Sequence, residues 1–151
     1  MNACRDRLVK PALAIPKFQR KVETVSIDDT LERVLRIIKD RDYSQFPVYG
    51  ANRFRGLLTE NGITRWLADH VTTQLSLVEL QEVAVERVIK NEEKRGNYEF
   101  VARNMHVDDL VGHFASHNLL EAVLITANGN QTEALLGIAT RWDIIPYHMT
   151  V

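Results

Sequence analysis

Apolar and polar positions along the chain switch between a strand-like and a helix-like period, and they do so twice in the same order. Val22 to Ile27 alternates as a short strand, and Asp28, Asp29 and Thr30 then offer side-chain acceptors to the free N–H groups of a helix start. Leu31, Val34, Leu35 and Ile38 follow at i, i+3, i+4 and i+7. That spacing predicts a helix from Thr30 to Arg41 with a single apolar stripe. Gln45 to Tyr49 and Phe54 to Leu58 are apolar runs joined by the turn formers Gly50-Ala51-Asn52-Arg53, so a hairpin is expected there, ending at Thr59. Asn61 is placed to cap a second helix, running to Val71, with Ile63, Trp66, Leu67 and His70 or Val71 on one face. The unit reads β-α-β-β-α.

Sliding Thr24–Tyr49 against Phe100–Ile125 without a gap brings the apolar positions into coincidence. Val25 meets Val101, Leu31 meets Val107, Val34 meets Leu110, Leu35 meets Val111 and Ile38 meets Phe114. After a loop five residues longer in the second copy, Gly56-Leu57-Leu58-Thr59 meets Gly137-Ile138-Ala139-Thr140. A shorter echo pairs Asp6-Arg7-Leu8-Val9-Lys10 with Glu86-Arg87-Val88-Ile89-Lys90. The second copy is predicted as a strand over Tyr98–Ala102, a helix over His106–His117 closed by Asn118 in a left-handed turn, and a hairpin loop at Ala127–Gln131. Leu75–Ile89 carries enough apolar residues to be a packed connector, whereas Lys90–Gly96 reads as a solvated loop. The organisation expected is one repeat over residues 1–73, and a connector with a second repeat over 74–151.

The composition changes this picture little but excludes several functions. With 45% apolar and 26% charged residues, the 151-residue chain is that of an ordinary globular protein. Lys and Arg number 19 against 20 Asp and Glu, a net charge of −1. No general attraction to nucleic acid follows. One cysteine, Cys4, allows neither an internal disulfide nor a Cys-rich zinc site, which fits a reducing compartment. No run approaches the roughly 20 apolar residues of a membrane span, and Leu8–Ile15 is broken by Lys10 and Pro11, so a cytoplasmic location is expected. His113 and His117 have a helical metal-ligand spacing, but without a neighbouring Glu or Cys no metal site is predicted. No phosphate-cradling glycine loop or nucleophile elbow is present, so an enzyme is not expected. Trp66 and Trp142 are assigned to core or dimer packing.

The elements Thr24-Val25-Ser26-Ile27-Asp28-Asp29-Thr30-Leu31, Tyr43-Ser44-Gln45-Phe46-Pro47-Val48 and Gly56-Leu57-Leu58-Thr59 together resemble the CBS (cystathionine-beta-synthase) domain. The second copy ends in Gly137-Ile138-Ala139-Thr140-Arg141-Trp142-Asp143, similar to that family's Gly-x-x-Thr/Ser-x-x-Asp signature. A tandem pair is a Bateman module, and the resemblance covers Cys4 to Tyr147. It implies an α+β fold in which two β-α-β-β-α repeats pack through their sheets with pseudo-two-fold symmetry. It also implies a homodimer, and a sensor that binds AMP, ADP, ATP, S-adenosylmethionine or cyclic di-AMP between the repeats to modulate a partner protein. No further cofactor is implied.

Thr140 and Asp143 have the spacing of a strand-end hydroxyl and a carboxylate on the next helical turn, and a carboxylate can accept both hydroxyls of a ribose. The alternative for Asp143 is a favourable interaction with its own helix N-terminus. The resemblance carries the rest of the site: Ile138 beside the signature, Lys21 and Glu23 around the first strand, and Tyr43, Ser44 and Gln45 before the first Pro-Val. Tyr43 is assigned either to a ligand base or to the core. The related first site is expected to be degenerate, since Thr59 is present but Gly62 stands where Asp143 stands in the second, and Glu121 would repel phosphate. A ligand-free dimerisation or interaction scaffold is therefore the alternative function.

Overall fold

Both repeats build a sheet of the same topology. In the computed structural model, which describes residues 12–71, 77–92 and 95–148, strand β1 (Val25–Ser26) pairs in parallel with β2 (Gln45–Gly50), which pairs antiparallel with β3 (Arg53–Thr59). In the second sheet, β4 (Tyr98–Ala102) runs parallel to β5 (Ala122–Thr126) and β5 antiparallel to β6 (Gly137–Thr140). The parallel crossovers are the helices α2 (Leu31–Arg41) and α5 (Val107–Ser116); α3 (Glu60–Val71) and α6 (Arg141–His148) follow the hairpins. A short helical turn, α1 (Ala14–Lys17), precedes the first repeat; a 3-10 turn (Leu77–Gln81) and α4 (Val85–Ile89) lie between the repeats. The fold is α+β with two β-α-β-β-α repeats.

Most element bounds follow the apolar periodicity, and the departures have local causes. The first strand keeps only Val25 and Ser26, not the whole of Val22–Ile27. Asp29 Oδ2 takes the Ser26 N–H at 2.8 Å and Ser26 Oγ takes the Asp28 N–H at 3.2 Å, so side chains turn the chain away from the ladder. Helix α2 starts as predicted, with Thr30 Oγ1 accepting from Arg33 N–H at 3.2 Å, and ends on Asp42 in the left-handed region. Helix α3 is capped by Thr59, not Asn61: Thr59 Oγ1 accepts the Gly62 N–H at 3.0 Å. Asn118 is not left-handed either. The Arg141 guanidinium covers the carbonyls of His117 and Leu120, each at 2.9 Å, and so satisfies the end of α5 without a left-handed residue.

Two compact units result, and they are not the sequence halves 1–73 and 74–151. Val22–Asn97 forms a continuous unit; the segment ending at Lys21 joins the one beginning at Tyr98 in a split unit. In the continuous unit the connector closes the core: Leu31 N–H bonds Val83 O at 2.8 Å, Val85 N–H bonds Asp29 O at 2.8 Å, and Glu86 N–H bonds Ile27 O at 3.0 Å. In the split unit the N-terminal strap makes the same three bonds. Val107 N–H reaches Ala12 O at 2.9 Å, Ala14 N–H reaches Met105 O at 2.7 Å, and Ile15 N–H reaches Arg103 O at 3.0 Å. Ala14 is thus the counterpart of Val85, a register different from the echo that set Asp6–Lys10 against Glu86–Lys90; residues 6–10 lie outside the described residues.

Each unit has its own core. Val25, Leu31, Val34, Phe46, Val48, Leu58, Trp66 and the connector's Val83, Val85, Val88 and Ile89 are buried together. Ala14, Ile15 and Phe18 of the strap are buried with Val101, Leu110, Phe114, Val123, Ile125 and Ile144. Trp66 is a core residue, but Trp142 is 76% exposed and belongs to no core.

Candidate functional site

The split unit places the signature residues at the open edge of its sheet. Strand β6 is an edge strand, and the strap runs along it: Gln19 bridges Gly137 and Arg20 N–H reaches Leu136 O at 3.3 Å. A Cβ at Gly137 would collide with the carbonyl oxygen of Phe18, so only glycine admits this close approach of backbones. The strap thereby delivers Arg20 to the junction of β6 and α6. Its Nε and Nη2 both donate to Ile138 O, at 3.0 and 2.7 Å, and Nη2 also donates to Asp143 Oδ2 at 2.7 Å.

Asp143 both caps its own helix and pairs with Arg20. Its Oδ2 accepts the Thr140 N–H at 2.8 Å and the Thr140 hydroxyl at 3.1 Å, which is the reach-back of an acid in the first helical turn to its capping residue. The interaction with its own helix N-terminus is therefore present. All three bonds fall on Oδ2, and Asp143 remains 30% exposed at an open groove of about 450 Å³ lined by Lys17, Phe18, Gln19, Arg20, Asp143 and Pro146. Of the residues expected at the site, Thr140 and Asp143 are bonded to each other, and Arg20 links Asp143 to the Ile138 carbonyl. Arg20, which bonds both the Ile138 carbonyl and Asp143, is the central contact.

The remaining expected residues are distributed between the units. Lys21 is exposed at the end of the strap, and Glu121 lies partly buried just before β5. Glu23, Tyr43, Ser44 and Gln45 belong to the continuous unit. There Glu23 is ion-paired with Arg41 at 3.2 Å, and Ser44 Oγ donates to Gln45 Oε1 at 2.8 Å. Tyr43 is 37% exposed, which excludes the core assignment.

At Gly62, the position expected to be degenerate, the structure shows a neighbouring carboxylate as well as the lack of a side chain. Glu92, from the stretch read as a solvated loop, is buried with its side chain only 3% exposed. A Cβ at Gly62 would lie 2.8 Å from Glu92 Cδ, so Glu92 occupies the space a side chain at position 62 would need. Arg65 Nη2 donates to both its oxygens at 3.0 and 3.2 Å, and Arg95 Nε lies 3.5 Å away. The charges are reversed between the units. In the split unit the acid is on the helix and the cation on the strap; in the continuous unit the connector brings the acid and the helix the cation. Nothing in the sequence near Glu92 signals this, because its partner Arg65 lies 27 positions earlier.

A second groove, of about 500 Å³, is lined on the split unit by residues including Glu99, His113 and His117. His113 Nδ1 is hydrogen-bonded to Glu99 Oε2 at 2.5 Å, and His117 Nε2 lies 3.7 Å from Oε1. Among the described residues no group of three or more His, Cys, Asp or Glu side chains is placed to hold a metal ion. No described helix is long and apolar enough to cross a membrane.

A family model described as the CBS domain matches residues 15–69. No curated protein matches the chain. Among solved structures, a Vibrio cholerae protein described as an acetoin utilization protein (AcuB) is similar at a TM-score of 0.66 and 15% identity, over 93% of each chain. A CBS-domain protein of Agrobacterium tumefaciens is similar at 0.65 and 18% identity, over 89% of this chain and 90% of that one. A Methanocaldococcus jannaschii protein proposed as an archaeal homolog of g-AMPK is similar at 0.66 and 17% identity; the match covers 97% of this chain but 51% of the other.

Proposed function

Because this chain carries a CBS domain and has the fold of CBS-pair structures, we propose that it is a non-catalytic regulatory protein that binds an adenosine-containing ligand at the Thr140–Asp143 groove. One observation carries the reading: a partly exposed carboxylate, hydrogen-bonded by a strand-end hydroxyl, lines one groove with Arg20 and Lys17. Those groups match the two ends of a nucleotide, the diol of a ribose and the charge of a phosphate. The M. jannaschii protein's description as a g-AMPK homolog supports the choice of adenosine compounds. Regulation would come from unequal ligand affinity for two states of the protein, since a ligand shifts an equilibrium only by that difference.

The test is a thermal-shift series with AMP, ADP, ATP, S-adenosylmethionine and cyclic di-AMP. A ligand at 100 times its Kd stabilises by about 2.7 kcal/mol, which for a chain of this size is a shift of about 5–10 °C. Asp143→Asn keeps an acceptor for Thr140 while removing the charge, and it should abolish the shift. A second reading, a ligand-free homodimeric or interaction scaffold, is favoured by the exposure of Trp142 at 76% and Leu119 at 65%. A series in which no compound moves the transition at millimolar concentration would reject the ligand reading in favour of that one.

A further inference from the structure

Taking the Thr140–Asp143 groove as a ribose site, we propose that Arg20 makes it selective for phosphorylated ligands, by an exchange of ion pairs that a nucleoside cannot complete. Asp143 Oδ2 already accepts three bonds, two from Thr140 and one from Arg20. A carboxylate has about four lone-pair sites over both oxygens, so a diol bridging the two oxygens must displace a donor from Oδ2. The Thr140 bonds belong to the helix cap; the Arg20 bond is the one that can leave.

Its departure has unequal consequences for different ligands. A neutral diol that takes Asp143 leaves the Arg20 guanidinium with Ile138 O as its remaining acceptor, and an ion pair has been lost. A nucleotide brings its own anion. Its phosphate offers Arg20 the planar, charge-assisted pairing that guanidinium groups favour, so the ribose takes the carboxylate while the phosphate takes the cation. The strap makes this an exchange of side chains and not of backbone, because Phe18 is buried, Gln19 bridges Gly137 and the Arg20 N–H is held by Leu136 O.

The corresponding pair in the continuous unit shows what a non-exchangeable version looks like. Both arginines are similarly open, 39% for Arg20 and 40% for Arg65, but their carboxylates differ tenfold in exposure, 30% for Asp143 against 3% for Glu92. A ligand can reach Asp143, whereas Glu92 is buried. Of these two pairs, Arg20–Asp143 is the one open to exchange.

Isothermal titration of the full chain with AMP and adenosine tests the inference. The wild type should bind AMP at least tenfold more tightly than adenosine. Arg20→Gln, which can still donate to Ile138 O, should weaken AMP and spare or improve adenosine, bringing the two within about threefold. Equal affinities in the wild type, or an unchanged ratio in Arg20→Gln, would overturn the selection by Arg20 while leaving the ribose reading in place, provided Asp143→Asn still loses both ligands. Failure of the wild type to bind either compound would remove both. The wild-type ratio does not depend on the variant folding, and Arg20→Lys, charged but without the planar fork, should retain only part of the preference.

Discussion

A side chain at position 62 and the side chain of Glu92 cannot both occupy the same space, and this exclusion yields a quantitative expectation. Gly62→Asp drives a Cβ to within 2.8–3.0 Å of Glu92 carbon atoms and adds a second carboxylate beside the first. Overpacking of this kind costs about 1–3 kcal/mol, and like-charge repulsion adds to it. In a Glu92→Ala background the same substitution should cost much less, with a coupling of about 0.5–3 kcal/mol by urea denaturation of the four proteins. Additive losses would show that Glu92 does not fill the position. From the sequence, Gly62 is legible as a missing acid because the repeat supplies Asp143 for comparison. Glu92 is not, since a Glu among charged neighbours reads as solvated until a fold shows which arginine stands over it. The same holds for Arg20, whose partner Asp143 lies 123 positions away.

The elements read correctly all have local signals: α2 from its 3.6 period and its Thr30 cap, β4 with its bounds unchanged, and both hairpins from their apolar runs. Elements set by distant groups are not so legible. Asn118 has a residue type that favours a left-handed helix end, but Arg141, from another helix, satisfies the carbonyls instead. The second hairpin loop extends beyond its cluster of turn formers to the start of β6 for a nearer reason, the side chain of Glu133 within the loop itself. Its carboxylate accepts the backbone N–H groups of Asn130 at 3.0 Å and Asn128 at 2.9 Å, and also bonds the Asn128 and Thr126 side chains. These bonds, the Asn130 N–H first among them, lower its pKa below the ordinary carboxylate value. The folded loop then holds a proton less readily than the unfolded chain. Its stabilisation is complete above the ordinary Glu range and is lost as pH falls through the lowered value. Amide exchange at Asn128 and Asn130, corrected for intrinsic pH dependence, should stay slow at pH 5 and accelerate only in stronger acid. Glu133→Gln should flatten that profile, and acceleration already at neutral pH would contradict the assignment.

At the scale of the whole molecule, the chain's two crossings at Lys21–Val22 and Asn97–Tyr98 make the units unequal in what they need to fold. The continuous unit contains its own closing segment: Val83, Val85, Val88 and Ile89 are in the same stretch of chain as the core they complete. The split unit takes Ala14, Ile15 and Phe18 from the opposite end of the sequence. Truncating one buried Phe to Ala costs about 3–5 kcal/mol, against a total stability of about 5–15 kcal/mol for a typical domain, so loss of all three side chains should be fatal. The fragment 22–97 is therefore expected to melt cooperatively, although units of this size bury a modest fraction of their surface and its stability will be low. The fragment 98–151 should show no cooperative transition alone and should gain one when a peptide of residues 12–21 is added. That peptide also carries Arg20, so the segment that completes the core is the one that brings the cation to Asp143. A cooperative melt of 98–151 without the peptide would show that the strap is an accessory and not part of the core, and would leave Arg20 free of the constraint that places it.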